Sequence, residues 1–264
     1  MSVVHSSFDR TLLFEVFMLS FLDDSFLGAA GDRSMDTAKR PQRQPELRKM
    51  KAVVFDFDGT LAVLNIDFSV MKERVFDVMR GLGVDEGSLR ETYLLEIIDE
   101  VTQYLRENKP AAADRFYEEA HCILQSVEME AAAEGRLLPG VTATLERLRR
   151  RGFKVGIVTR NCEDAVKRVF PKINHFCDVF VSRNSTRKVK PHPDHLTYTM
   201  NALGVRGEEA VMVGDHTLDI QAGKTVGMMT VGVLTGRITR AEFERAGADT
   251  VLLNATEICA LLEG

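Results

Sequence analysis

The sequence predicts an α/β protein: a parallel sheet with helices on both faces and an all-helical subdomain inserted after the first strand. Three observations predict it. Short apolar runs rich in Val and Ile recur between residues 52 and 253, as strands buried on both faces require. Amphipathic helical patterns separate the later runs. One interval, 65–137, shows helical spacing and no strand-like run.

The strand runs are Ala52–Phe57, Lys154–Thr159, Val179–Ser182, Ala210–Gly214, Met229–Leu234 and Thr250–Leu253. Between them, Thr142–Arg150 turns Leu145 and Leu148 inward. His192–Leu203 follows Lys190-Pro191-His192-Pro193, whose proline suits the start of a helix. Strand alternating with helix makes this a Rossmann-like sheet. Within the insert, Phe68, Met71, Val75, Val78 and Leu82 keep helical spacing up to Gly83. Ser88-Leu89-Arg90-Glu91 reads as a capping box. It opens a second helix with Leu94, Ile97, Ile98, Val101 and Leu105 on one stripe, stopping near Asn108-Lys109-Pro110. A third pattern carries Phe116, Ala120, Ile123, Leu124 and Val127 and ends near Gly135. The Met and Phe positions of the insert read as core. The expected organisation is a poorly structured leader over 1–49, a core built from 50–64 and 138–264, and the helical insert over 65–137.

The 264 residues suffice for one ordinary domain and a second small one. The composition, 45% apolar and 28% charged, is that of a globular protein. A net charge of −5 argues against a nucleic-acid partner, which usually needs a basic face, and none is expected. Cys122, Cys162, Cys177 and Cys259 lie far apart without metal-type spacing and read as free buried thiols in a reducing, cytoplasmic setting. No stretch reaches the ~20 apolar residues of a membrane span. The nearest, Thr11–Leu22, contains Glu15. Gly28-Ala29-Ala30 brings a signal peptide to mind, but Asp23 and Asp24 precede that cleavage site and the front end carries little positive charge. Neither secretion nor a membrane is expected. Residues 31–49 are polar, basic and proline-containing, a linker composition. Met35 and Met50 offer alternative starts, and the natural chain is expected to begin at one of them. The rival reading is a docking helix over Leu12–Leu22.

In open parallel sheets the ligand crevice lies beyond the carboxyl ends of the strands. Asp56, Asp58, Gly59 and Thr60 follow the first strand, and Thr159, Arg160 and Asn161 stand at the end of the second. Lys190 precedes the helix after the third, and Asp215 and Asp219 follow the fourth. Clustered aspartates repel one another unless a cation joins them, and all-oxygen ligation favours a hard ion such as Mg²⁺. A hydroxyl at Thr159 and an ammonium at Lys190 complement phosphate oxygens, which points to phosphoryl transfer. Gly59 lets the chain turn sharply after the aspartates.

Asp-Phe-Asp-Gly-Thr (56–60), Val-Thr-Arg (158–160), the lysine of Val-Lys-Pro-His-Pro-Asp (189–194) and Gly-Asp-His-Thr-Leu-Asp (214–219) stand in that order. Together they resemble the four motifs of the haloacid dehalogenase superfamily of phosphohydrolases, from Lys51 to the C-terminus. The insert falls where one branch of that family carries a cap. The resemblance implies that Asp56 is a nucleophile forming an aspartyl-phosphate and that Asp58 is the general acid and base. It implies that Mg²⁺ is held by Asp56, by the backbone carbonyl of Asp58 and by Asp215. Thr159 and Lys190 bind phosphoryl oxygens. Arg160 either joins them or faces solvent. Asp219 orients Lys190 or a metal-bound water, and Thr60 and Asn161 support the site. Thr159 alone also reads as a helix cap. His216 occupies a variable position of the pattern and reads as a neighbour of the site rather than a base.

Asp58 and the Gly-Thr after it point to phosphate esters rather than haloacids. A phosphomutase shares all four motifs and stays open. Phosphonate-cleaving members need a cap lysine; Lys72 and Lys109 are the obvious ones, and nothing marks either as buried. Residues 214–236 resemble phosphoglycolate phosphatases most, a branch that also contains enzymes for other small phosphomonoesters and pyrophosphate. The cap resemblance is weaker, and residues 65–75, Asn-Ile-Asp-Phe-Ser-Val-Met-Lys-Glu-Arg-Val, depart from the polar stretch usual there. The expected activity is a Mg²⁺-dependent phosphomonoesterase on a small phosphorylated metabolite, with phosphoglycolate first. From a different class, a phospho-accepting receiver module also combines Asp, Mg²⁺, Thr and Lys on a parallel sheet. Receivers are shorter, lack a helical insert and carry the acceptor on a later strand.

Overall fold

Alternating apolar faces along each strand dictate where the helices go. In a computed structural model, which describes residues 47–263, the chain runs through these elements in order. They are β1 (Ala52–Phe55), β2 (Ala62–Val63), α1 (Phe68–Gly81), α2 (Leu94–Asn108), α3 (Pro110–Ala132), β3 (Arg136–Leu137), α4 (Val141–Arg150), β4 (Lys154–Val158), α5 (Glu163–Val169), α6 (Ile173–Phe176), β5 (Val179–Val181), α7 (Pro193–Leu203), β6 (Ala210–Gly214), α8 (Thr217–Thr225), β7 (Met229–Val233), α9 (Arg240–Arg245), β8 (Thr250–Leu252) and α10 (Ile258–Glu263). The expectations for a start at Met35, for a Leu12–Leu22 helix and for the leader up to residue 46 lie outside the described residues.

Six strands form one sheet in the order β5-β4-β1-β6-β7-β8, every pair parallel. β1 is central and fully buried. Its side chains alternate between two cores, as a pleated strand requires. Val53 and Phe55 join the core that holds Leu145 and Leu148 of α4 and Val166 of α5. Ala52 and Val54 join the core that holds Leu196, Met200 and Leu203 of α7. After β1 the chain builds β4 and β5 on one side and then crosses to β6 on the other. This reversal makes the carboxyl end of β1 the switch point where such sheets open a crevice.

Between β2 and β3 lie the helices α1, α2 and α3. α1 starts at Asp67, whose Oδ1 accepts the N–H groups of Ser69 and Val70 at 3.1 and 3.0 Å, and gives way to Gly83 at φ +71°. α3 begins with Pro110 in its first turn, where the missing N–H costs nothing. Ile97, Ile98, Val101 and Leu105 of α2 and Phe116, Ala120, Leu124 and Val127 of α3 are buried. β2 and β3 pair antiparallel, Ala62 with Leu137 and Val63 with Arg136, and so tie the two ends of the insert together. Two residues carry no periodicity, so this ribbon left no trace in the pattern.

Several local expectations differ from the structure. Ser88–Glu91 is no capping box: Ser88 ends a 3₁₀ turn and donates from its hydroxyl to the Asp85 carbonyl at 2.6 Å. The helix begins only at Leu94, because the N–H groups of Arg90 and Glu91 donate to Glu100 and hold that stretch off the helix. Five strands stop short of their expected ends, releasing Asp56 and Phe57, Thr159, Ser182, Leu234 and Leu253 from the sheet. Cys162, Cys177 and Cys259 are buried and free, but Cys122 is exposed. Among the described residues no helix is long and apolar enough to cross a membrane.

Candidate active site

Pairing on both sides fixes where β1 ends. The Asp56 N–H donates to the Val213 carbonyl at 2.9 Å, so the chain leaves the sheet from a set position with Asp56 at the carboxyl edge. It then turns tightly: the N–H groups of Leu61 and Ala62 both donate to the Phe57 carbonyl, at 2.8 and 2.9 Å. Gly59 takes φ +82° in this turn. A Cβ there would lie 2.2 Å from Oδ2 of Asp215, and one at Gly236 would lie 2.1 Å from the same oxygen. Two glycines thus cradle one carboxylate.

Lys190 organises the centre. It is 1% exposed, and its Nζ donates to Asp56 Oδ1 at 2.7 Å, Asp219 Oδ1 at 2.7 Å and the Val158 carbonyl at 3.1 Å. All three ammonium protons are therefore used. The other oxygen of Asp219 accepts the His216 N–H at 3.1 Å. The Thr60 hydroxyl stands 3.4 Å from Asp56 Oδ2 and 3.3 Å from Asp215 Oδ1. The Asp58 carboxylate faces elsewhere: its Oδ1 accepts the Leu64 N–H at 2.9 Å.

The electrostatics follow from three carboxylates around one ammonium. Burial raises Asp56, and the charges of Asp219 and Asp58 push the same way, while Lys190 pulls it down. Burial also raises Asp215, with Asp56 and Asp219 adding to it. For Lys190 burial opposes the charge, but Asp219 and Asp56 more than offset it and hold the ammonium above its ordinary range. Asp58 is raised by burial against the N–H groups of Leu64 and Gly59, with the charge of Glu128 adding to the rise, which favours a proton there.

The donor set fits Mg²⁺. One oxygen each of Asp56, Asp215 and Asp219 lie within 4.8 Å of one another. Asp219 already spends both oxygens on Lys190 and His216, so Asp56 Oδ2 and the Asp215 carboxylate are the oxygens left for a cation. That matches the habit of Mg²⁺ to take one or two carboxylates plus waters and substrate oxygens. The side chain of Asp58 stands outside this group.

The loop after β4 is also built. The Thr159 hydroxyl accepts the Asn161 N–H at 3.2 Å; it does not cap α5, whose first turn starts after Cys162. Asn161 is buried and its Nδ2 has no protein partner, a donor free for an anion. Arg160 does not point to open solvent. Its guanidinium makes two 2.8 Å bonds to the Glu96 carboxylate of α2 and donates to the Lys190 carbonyl. Tyr93 lies beside it, 5.9 Å from ring centre to Cζ, and stands edge-on to His216. His216 caps α8, its Nδ1 accepting the Leu218 N–H at 3.2 Å, and burial lowers its pKa. The insert lysines Lys72 and Lys109 are exposed.

The family model described as haloacid dehalogenase-like hydrolase matches residues 53–233. The chain belongs to the haloacid dehalogenase-like hydrolase family. It is 32% identical over 190 residues to an uncharacterized hydrolase of Saccharomyces cerevisiae, covering 70% of this chain and 78% of that one. It is 28% identical over 197 residues to a phosphoglycolate phosphatase of Aquifex aeolicus, covering 72% and 87%. Further relatives carry the name pyrophosphatase PpaX. Among solved structures it is similar to CbbY from Rhodobacter sphaeroides in complex with phosphate, with TM-score 0.57, 25% identity and coverage of 81% and 100%. The protein is thus an enzyme, a hydrolase of the phosphatase kind with the parallel-sheet fold of this family.

The pattern of the sequence missed Glu96 and Tyr93, which hold Arg160, and Glu128 and Arg183, which hold the Thr159 loop. A signal for two of them existed. Glu128 takes the place on the α3 stripe one turn after Leu124, where an apolar residue belongs. Arg183 stands two residues past β5, at the carboxyl edge where site residues gather.

Proposed function

We propose that this hydrolase is a Mg²⁺-dependent phosphomonoesterase that works through an aspartyl-phosphate on Asp56. One observation carries the reading: a buried ammonium, Lys190, holds the Asp56 carboxylate at 2.7 Å on the carboxyl edge of the sheet, beside the Asp215 carboxylate left for a cation. Bound Mg²⁺, held by Asp56, Asp215 and the Asp58 carbonyl, supplies charge neutralisation between carboxylate and phosphate. Asp56 attacks phosphorus while the leaving oxygen takes the proton of Asp58, a group that burial keeps prone to protonation. Asp58, now a carboxylate, then takes a proton from the water that attacks the aspartyl-phosphate. Inorganic phosphate leaves and Asp56 returns to its starting form. Thr159 and Asn161 bind the phosphoryl oxygens throughout, and the Lys190 charge beside them balances the added negative charge.

The substrate in this reading is a small phosphorylated metabolite in the cytoplasm, phosphoglycolate first because a relative bears that name and residues 214–236 resemble that branch. The insert, residues 65–137, acts as a cap over the site. A mutase would use the same residues but pass the phosphoryl group to a second substrate. The experiment is a panel of phosphoglycolate, sugar phosphates, nucleotides and pyrophosphate assayed for phosphate release with Mg²⁺. Steady turnover of one small ester supports the reading. Isomerised product without free phosphate supports the mutase, and a single stoichiometric burst supports a receiver.

A further inference from the structure

Glu128 is an acidic residue in the apolar seam of α3, 3% exposed. A buried carboxylate is costly unless it is paired and hydrogen-bonded. Here both oxygens are committed, and both to the core rather than to the insert. Oε1 accepts from Nη1 of Arg183, itself 5% exposed, and Oε2 accepts the Cys162 N–H at 2.9 Å. The same Arg183 Nη1 donates to the Arg160 carbonyl at 3.0 Å, and the Arg183 N–H donates to the Asn161 carbonyl at 3.0 Å. Asn161 in turn donates its N–H to the Thr159 hydroxyl. Residues 159–162 are therefore held one after another, three of them directly by Glu128 or Arg183.

We propose that Glu128, acting with Arg183, is a positioning residue for the anion-binding loop: it sets where the Thr159 hydroxyl and the Asn161 amide meet the phosphoryl oxygens. The inference rests on the phosphatase reading above. A tie between insert and core does not need charge, because replacing a buried ion pair by apolar residues of similar volume is often neutral or stabilising. What an apolar pair cannot supply is the acceptor for Cys162 and the donor for Arg160. The pair is spent on loop backbone, and small misplacements of a binding group weaken catalysis steeply.

The test compares wild type, Glu128→Gln and the double variant Glu128→Leu/Arg183→Met. Three quantities are read: Tm, the kcat and KM for p-nitrophenyl phosphate with Mg²⁺, and the inhibition constant of inorganic phosphate. The double variant is expected to lose some Tm, because the Cys162 N–H is left without its acceptor, and beyond that to raise KM and the phosphate constant about tenfold or more. A purely structural role would lower Tm and the apparent kcat but leave KM and the phosphate constant unmoved. Glu128→Gln, which keeps an acceptor but loses the charge, is expected to fall between; a phosphate constant equal to wild type in that variant overturns the proposal even if the double variant does not fold. A cycle with Asn161→Ala adds a second reading: if Glu128 acts through this loop, the two effects are not additive. A wild type with no turnover and no phosphate binding sinks the phosphatase reading itself. A wild type that binds phosphate, beside variants that bind it equally well, sinks the positioning role alone.

Discussion

A single side chain decides whether Asp56 is a nucleophile or merely a strand-end carboxylate. Lys190 holds one Asp56 oxygen, and in the proposed mechanism the Asp56→Asn variant removes the carboxylate that attacks phosphorus. We expect Asp56→Asn to abolish Mg²⁺-dependent release of p-nitrophenol while Tm stays near wild type; near-wild-type rates would remove Asp56 from its role. Asp58→Ala is expected to lose about 10²–10⁴-fold, the usual scale of general acid–base help, with a loss below tenfold arguing against it. Gly59→Ala probes the neighbouring turn. It forces an L side chain into the left-handed region, which costs about 1–2 kcal/mol. Its Cβ would also overlap the Asp215 carboxylate. The expected result is a larger loss of activity than of stability, and an unchanged Mg²⁺ requirement with unchanged rate would refute it. At this scale the sequence was most informative: Asp56, Asp58, Gly59 and Asp215 stand in short motifs at strand ends. The bidentate seat of Arg160 on Glu96 was not readable, because the partners are 64 positions apart in the chain and neither residue is unusual for a surface.

Among the elements, the strands were legible because continuous Val and Ile runs have few other uses, and each observed strand of the main sheet lies within its expected run. Helix starts were less so. The true start of α2 depends on Glu100 accepting the Arg90 and Glu91 N–H groups, a reach that a local cap motif does not reveal. A similar side-chain clamp joins β7 to β8. Asp249 accepts the N–H and hydroxyl of buried Thr230, both at 2.9 Å, and Lys224 at 2.8 Å. Burial raises the Asp249 pKa, but these donors outweigh it and hold the group below its ordinary value. The stabilisation is thus present above the unfolded-state pKa of 3.8 and fades as pH falls through the lower folded value. Asp249→Ala should cost about 1–3 kcal/mol at neutral pH, since buried Thr230 donors lose their acceptor. The difference from wild type should shrink as pH falls below about 4 in urea melts. A gap that stays constant down to pH 2 would show that packing, not the carboxylate, is responsible.

For the molecule as a whole, the sheet brings together carboxylates that repel one another, Lys190 and Asp56 being 134 positions apart in the chain. Asp56, Asp215 and Asp219 oppose a single ammonium, so folding concentrates negative charge at the carboxyl edge and stores it there. A cation that binds the folded edge and not the unfolded chain must stabilise the fold by mass action. At a hundredfold excess over its dissociation constant that gain is about 2.7 kcal/mol. For a chain of this size it corresponds to a Tm rise of about 5–10 °C. We expect this shift on titrating Mg²⁺ into EDTA-treated protein, with activity returning over the same concentration range. In Asp215→Asn both should weaken together, because among the described residues only the Thr60 hydroxyl is within hydrogen-bond reach of that carboxylate. Equal Tm shifts in wild type and Asp215→Asn would place the ion elsewhere. Activity that survives EDTA unchanged would mean that Lys190 alone balances the edge.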